Sequence, residues 1–405
     1  MVQSVLGSVT LGYRPLWNRS REIAGVQLFV HEGANPTQDA VHLLRIIDEI
    51  WVLGAPPLLL SIRPAALLHE LLQHAQPGAP VFEVPLAWLR QDAALAATTR
   101  QAAARGVKLA LRTEPGEAVL PDVARLFERR VIHLGPQAAM QALQAQAARR
   151  QGQANARPSP VQPGQIYEGV ASRALVQHCL DQQGAWAVSG WPAEDVLHAW
   201  RYQALQPSHR VVTQLLLALD TEQSMERLEQ IISDEPLLVY RMLTFVNSAA
   251  MGLRTGIGSI RHALMMMGVN SLKTWLTEQL PHASSDADLQ PVRLSMVLRA
   301  SLVEELMETG IEEDLRREVY LCGLFSQIDL LQGEPLATVL QRLPLSERIH
   351  AATVLGTGPY AGALLAAIAL ESPEPGNLAV LAAEHEMDLE EINRGLLRML
   401  AGIRR

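Results

Sequence analysis

Cysteine is scarce in this chain. Its 405 residues include two, Cys179 and Cys322, far apart and without CxxC spacing. That argues against a disulfide framework or a cysteine zinc site and suits a reducing cytosol. Charged residues are few (19%) and aromatics fewer (4%), while 48% of residues are hydrophobic, a composition that excludes a disordered polymer. Long apolar runs are also missing. The longest, near Ala363 to Leu370, falls far short of the ~20 residues a spanning helix needs. The start, Met1-Val2-Gln3-Ser4, has no basic patch followed by an apolar stretch, so it does not read as a signal peptide. No membrane contact and a cytoplasmic location are expected.

Catalytic signatures are equally sparse. The closest pair among twelve histidines, His69 and His74, is five residues apart, which is neither HxxxH nor HExxH spacing. Gly256-Ile257-Gly258 lacks the preceding strand and third glycine of a dinucleotide loop and reads as a helix start. Met265-Met266-Met267 shares an apolar helical stretch with Ile260 and Leu264 and reads as core packing. There is no GxSxG elbow, P-loop or Cys-His arrangement.

Charge is distributed unevenly. Residues 1–204 carry 18 basic and 16 acidic side chains, a net +2, whereas residues 205–405 carry 16 and 26, a net -10. An acidic half is a poor match for a phosphate backbone, so no nucleic-acid partner is expected.

At 405 residues the chain is long enough for two domains of about 200 residues each. The first half alternates short β-rich runs (Pro57–Ile62, Val81–Val84, Val107–Leu111, Val131–Leu134, Trp186–Ser189) with helical stretches such as Val41–Ile50, Ala65–His74 and Ala93–Arg105. Strands spaced by helices imply parallel β-α-β units, closed as a barrel or open as a doubly wound sheet. The segment Gln144–Gln165, rich in Ala, Gln, Arg and Pro, breaks the rhythm, and its later part reads as a surface loop. From about Pro207 onward the pattern is helix after helix. Near the end, Asp388-Leu389-Glu390-Glu391 has the form of a capping box, followed by Ile392, Leu396 and Leu400 on one stripe. The fold class expected is α/β followed by all-α.

The second half contains Ser233-Asp234-Glu235-Pro236-Leu237-Leu238, then Asn247-Ser248-Ala249, then Ile260-Arg261-His262-Ala263-Leu264 and Met267-Gly268. These segments, in this order, resemble the HDOD family over residues 205–405. HDOD domains are related to HD metal-dependent phosphohydrolases, whose His-Asp dipeptide binds metal. At the corresponding place this chain has Ser326 and Gln327, and it contains no His-Asp dipeptide anywhere. The first half, through Arg14-Pro15-Leu16-Trp17, Gly25–Val30, Leu60-Ser61-Ile62, Phe82–Leu86 and Gly106–Thr113, resembles the EAL cyclic-di-GMP phosphodiesterase barrel over residues 5–204. The resemblance implies a two-metal site held by carboxylates. At its positions stand Gln27, Ser61, Arg112, Thr113 and His133, with Glu83 expected to be the sole remaining carboxylate ligand.

The resulting expectation is a degenerate EAL-type, TIM-like β/α barrel (1–204) followed by an HDOD helical bundle (205–405). No catalysis, metal or cofactor is expected. The function expected is that of a non-catalytic signalling or scaffold protein with regulatory protein partners. The alternative is a receptor that binds cyclic-di-GMP without hydrolysis; a second copy of the chain, as a homodimer, is a further candidate partner.

Overall fold

The computed structural model describes residues 5–33, 39–78, 80–151, 158–251, 256–307 and 313–403. The chain divides into two compact units, residues 1–195 with 369–405, and residues 196–368.

The first unit is a closed eight-stranded barrel with strands in sequence order. They are β1 (Val9–Trp17), β2 (Ile23–Glu32), β3 (Leu58–Ile62), β4 (Val81–Pro85), β5 (Leu109–Thr113), β6 (Arg129–His133), β7 (Ile166–Glu168) and β8 (Ala187–Ser189). β1 runs antiparallel to both of its neighbours, and the other pairs are parallel. The parallel steps are bridged by helices, among them Ala40–Ile50, Ala65–His74, Ala93–Ala104 and Pro136–Arg150. Of the two expected arrangements, the barrel is the one formed. Gln144–Arg150, the early part of the segment that breaks the sequence rhythm, continues the helix that Pro136 opens, as its alanines favour.

One inward-facing layer fills the barrel: Leu16, Leu59, Ala110, Val131, Ile166 and Ala187, with Ala24, Val81 and Trp186 packed against it. Every strand contributes to it, so the lumen is a packed core rather than a pore.

The C-terminal residues 369–405 pack with the barrel, although the sequence assigned them to the helical half. Asp388 caps the helix Leu389–Ala401, whose Ile392, Leu396 and Leu400 are buried. Fully buried Asn393 explains the attachment. Its amide nitrogen donates to the carbonyls of Leu6 (2.8 Å) and Val9 (2.9 Å), and its oxygen accepts from Leu11 N (3.3 Å). One side chain thereby satisfies three backbone groups where β1 begins. Gly12 in β1 admits the same return segment, because a Cβ there would lie 2.1 Å from the Ser372 carbonyl oxygen.

The second unit is helical, as its periodicity implied. Its long helices are His209–Asp220, Met225–Ser233, Pro236–Val246, Ile260–Gln279, Gln290–Leu306 and Glu313–Phe325. Ile260–Gln279 is kinked at Gly268, at φ 66°, ψ 163°, a conformation that favours glycine.

Candidate functional site

Side chains along a strand alternate in direction with a period of two. Two residues beyond the apolar layer on β3–β8 stand Ser61, Glu83, Arg112, His133, Glu168 and Ser189. β1 runs the opposite way, so its counterpart is Arg14, two residues before Leu16. Gln27 of β2, paired with Arg14, completes the set. Every strand therefore places a polar residue at the C-terminal end of the barrel, the end where β/α barrels assemble their sites.

Most of these residues form one network. The Ser189 hydroxyl donates to the Gln27 carbonyl oxygen (2.6 Å). The Gln27 amide nitrogen thus faces inward, within reach of Ser61 Oγ (2.9 Å), Glu83 Oε2 (3.1 Å) and Glu168 Oε1 (2.7 Å). Ser61 Oγ donates to Glu83 Oε2 (2.6 Å). Arg112 bridges the two acids: Nε donates to Glu83 Oε1, and Nη2 donates to Glu168 Oε1 (2.8 Å) and Oε2 (2.9 Å). Burial by itself would lower the pKa of Arg112. The charges of Glu83 and Glu168, and their hydrogen bonds, outweigh it and hold the guanidinium above its ordinary value. Arg14 is half-buried and shifted the other way, lowered by burial against the opposing pull of Glu168.

Of the residues singled out in the sequence, the structure brings Gln27, Ser61, Glu83 and Arg112 together. His133 belongs to the layer by register but joins no hydrogen bond of the network among the described residues. Thr113, next to Arg112, faces the other side of the sheet, where its buried hydroxyl finds no partner among the described residues. Glu83 is not the sole carboxylate, because Glu168 stands opposite it. Glu168 and Arg14 were missed as site residues: β7 is only three residues long, and Arg14 lies inside β1.

In the helical unit, Ser326 and Gln327 follow the helix Glu313–Phe325. Ser326 Oγ donates to the Gly323 carbonyl (2.7 Å) and lies 3.4 Å from Arg299 Nη1. With its amide oxygen turned towards Arg299, Gln327 accepts from both terminal nitrogens (3.0 and 3.1 Å). Asp329 is pushed above the usual carboxylate range by burial, against the opposing charge of Arg299. Other shared segments have structural roles. Glu235, fully buried, caps Pro236–Val246 by accepting from Leu237 N (2.9 Å) and Leu238 N (3.2 Å), and it lies 3.0 Å from Arg293 Nε. Asn247 ties the following loop to the same helix: its amide donates to the Leu243 and Ile257 carbonyls, and its oxygen accepts from Ile257 N.

The molecule is thus a β/α barrel with a polar C-terminal mouth, joined to an all-α unit. Residues 205–332 match the HDOD domain family, and a closed β/α barrel precedes them, the order of folds expected from the sequence. It is 26% identical over 196 residues to the cyclic di-GMP phosphodiesterase CdgJ of Vibrio cholerae, covering 48% of this chain and 45% of that protein. It is 29% identical over 141 residues to the uncharacterized protein YuxH of Bacillus subtilis, covering 34% of each. The chain therefore spans less than half the length of either relative. Among solved structures it is similar to the MmoQ response regulator of Methylococcus capsulatus (17% identity, TM-score 0.39, 48% of this chain and 98% of that one). It is also similar to the Bacillus subtilis YkuI protein, which has an EAL domain and was solved with c-di-GMP and calcium (14% identity, TM-score 0.29, 46% and 55%). The expectation that the protein is not an enzyme is corrected by the first of these matches, since CdgJ is a phosphodiesterase.

The residues at the mouth do not fit the divalent metals that the EAL resemblance implies. Each oxygen of Glu83 and Glu168 already accepts from Arg112, Gln27 or Ser61. Gln27 turns a donor, not an oxygen, towards the centre. Among the described residues, no three His, Cys, Asp or Glu side chains converge as a metal ion needs. No described helix is long and apolar enough to cross a membrane.

Proposed function

We propose that this chain works in cyclic-di-GMP signalling, with the barrel mouth taking up the dinucleotide through its phosphates. Gln27, Ser61, Glu83, Arg112, Thr113 and His133 are, on this reading, the altered positions of an EAL metal site, as Ser326 and Gln327 are of an HD site. The HDOD unit would pass the state of the barrel to regulatory protein partners. The two buried, unpaired thiols of Cys179 and Cys322 suit a cytoplasmic location.

The observation that carries the proposal is the pair of arginines in the polar layer. Arg14 makes no side-chain hydrogen bond among the described residues, and Arg112 uses Nε and Nη2 but not Nη1. Guanidinium donors at the barrel end where ligands bind are suited to a phosphodiester. The similarity to CdgJ over 196 residues supports a cyclic dinucleotide in preference to other anions. Exposed Arg63, stacked over Phe29 at the end of β3, offers a third cation near the rim.

Titration calorimetry with cyclic-di-GMP tests this, with chromatography of the same samples for the linear product. The expected result is saturable binding, weakened about 10- to 100-fold in Arg14→Ala, the range for one lost charge-assisted contact. Absence of both heat and product at millimolar ligand would refute the proposal.

A further inference from the structure

The barrel mouth brings two carboxylates to one point from β4 and β7, strands that are not neighbours in the barrel. Glu83 is 3% exposed and Glu168 6%. Two buried acids this close repel unless a cation lies between them. Arg112 lies between them, reaching Glu83 through Nε and Glu168 through Nη2.

The surrounding groups are oriented to suit that guanidinium. Ser189 holds the Gln27 oxygen, and so directs the Gln27 nitrogen towards the acids. Ser61 donates a hydrogen bond to Glu83. Both neutral neighbours therefore act as donors to the carboxylates. A free cation at the centre would require the reverse, with oxygens aimed inward. The planar guanidinium also explains why arginine stands here: its fork can span two carboxylates, which the single ammonium of lysine cannot do.

We propose that Arg112 is a tethered cation occupying the place of a divalent metal between Glu83 and Glu168, so that the mouth keeps its structure without metal. Truncating the side chain should then create a divalent-cation site from the two acids it leaves behind. The proposal rests on the geometry of the network and does not depend on nucleotide uptake.

The test compares the 405-residue chain, Arg112→Ala and Arg112→Ala/Glu168→Gln in EDTA and in millimolar Mn²⁺, with sodium chloride matching the ionic strength. Thermal unfolding gives stability, and electron paramagnetic resonance gives the number of bound Mn²⁺ ions. The unsubstituted chain is expected to unfold at the same temperature in both solutions and to bind no Mn²⁺ at the mouth. Arg112→Ala should melt roughly 5–10 °C lower in EDTA, recover in Mn²⁺ and bind one ion. Adding Glu168→Gln should abolish both the recovery and the bound ion. If Arg112→Ala does not fold in EDTA, refolding on addition of Mn²⁺, followed by circular dichroism, gives the same readout. Indifference of Arg112→Ala to Mn²⁺ overturns the proposal. So does Mn²⁺ binding by the unsubstituted chain that Glu83→Gln removes.

Discussion

Each unit of the chain holds an arginine at or beside positions that the family resemblances mark, Arg112 half-buried and Arg299 buried, and the two are held differently. Arg112, in the barrel, lies between two carboxylates and bonds to both. Arg299, in the helical unit, meets the neutral amide of Gln327 and the hydroxyl of Ser326, with Asp329 acting on it at longer range. The contrast is between an arginine bonded to two buried carboxylates and one bonded to an amide and a hydroxyl. A pair of buried acids depends on the arginine between them, whereas neutral hydrogen-bond partners carry no charge to be compensated.

The largest effect should come from Arg112→Ala. It strands two buried carboxylates, and removing one partner from such a pair typically costs about 3–5 kcal/mol. Urea unfolding in EDTA measures it. Arg299→Ala should cost less, about 1–3 kcal/mol, the range for the hydrogen bonds it loses to Gln327 and Ser326. If Arg299→Ala proved the more damaging, the contrast between the two sites would fail.

Gln27→Leu should cost about 1–3 kcal/mol, since it removes donors from both acids and the acceptor of Ser189. A double-mutant cycle with Arg112→Ala should show that the two losses do not add, because both side chains serve the same carboxylates. Additive losses would mean that Gln27 and Arg112 act separately and that the mouth is not one network.

The smallest expected effect concerns the thiols, one in each unit. Burial pushes both Cys179 and Cys322 up to about 12. Neither should be alkylated by iodoacetamide at pH 8 without denaturant, and both should react when unfolded. A folded pKa above the ordinary thiol value favours the folded protonated form, so this contribution is fully present below about pH 9. It declines as pH rises from there towards about 12. Rapid labelling of one thiol at pH 8 would show that its unit opens more readily than the other.

How much of this was legible in the sequence depended on how local the signal was. The strands β3, β4, β5, β6 and β8 coincide with apolar runs set off by Gly or Pro. Ile166–Glu168 was passed over because three residues are too few to show alternation, and Glu168 was lost with them. Arg14 appeared in the sequence only as part of a family likeness. It becomes a site residue once β1 is seen to run antiparallel, which turns it onto the same face as Gln27. Thr113 was grouped with Arg112 by the family resemblance, although adjacency in a strand sends the two side chains to opposite faces.

By itself the sequence determined the α/β-then-helical order, the cap at Asp388 and the absence of a His-Asp dyad. These follow from spacing over a few residues, where backbone preference and periodicity act. Tertiary structure decided that the barrel closes, that Glu83 and Glu168 share one guanidinium, and that residues 369–405 return to the barrel through Asn393. Each of these joins groups dozens to hundreds of residues apart. Their energies come from charges and buried polar groups meeting in space, which no local pattern along the chain encodes.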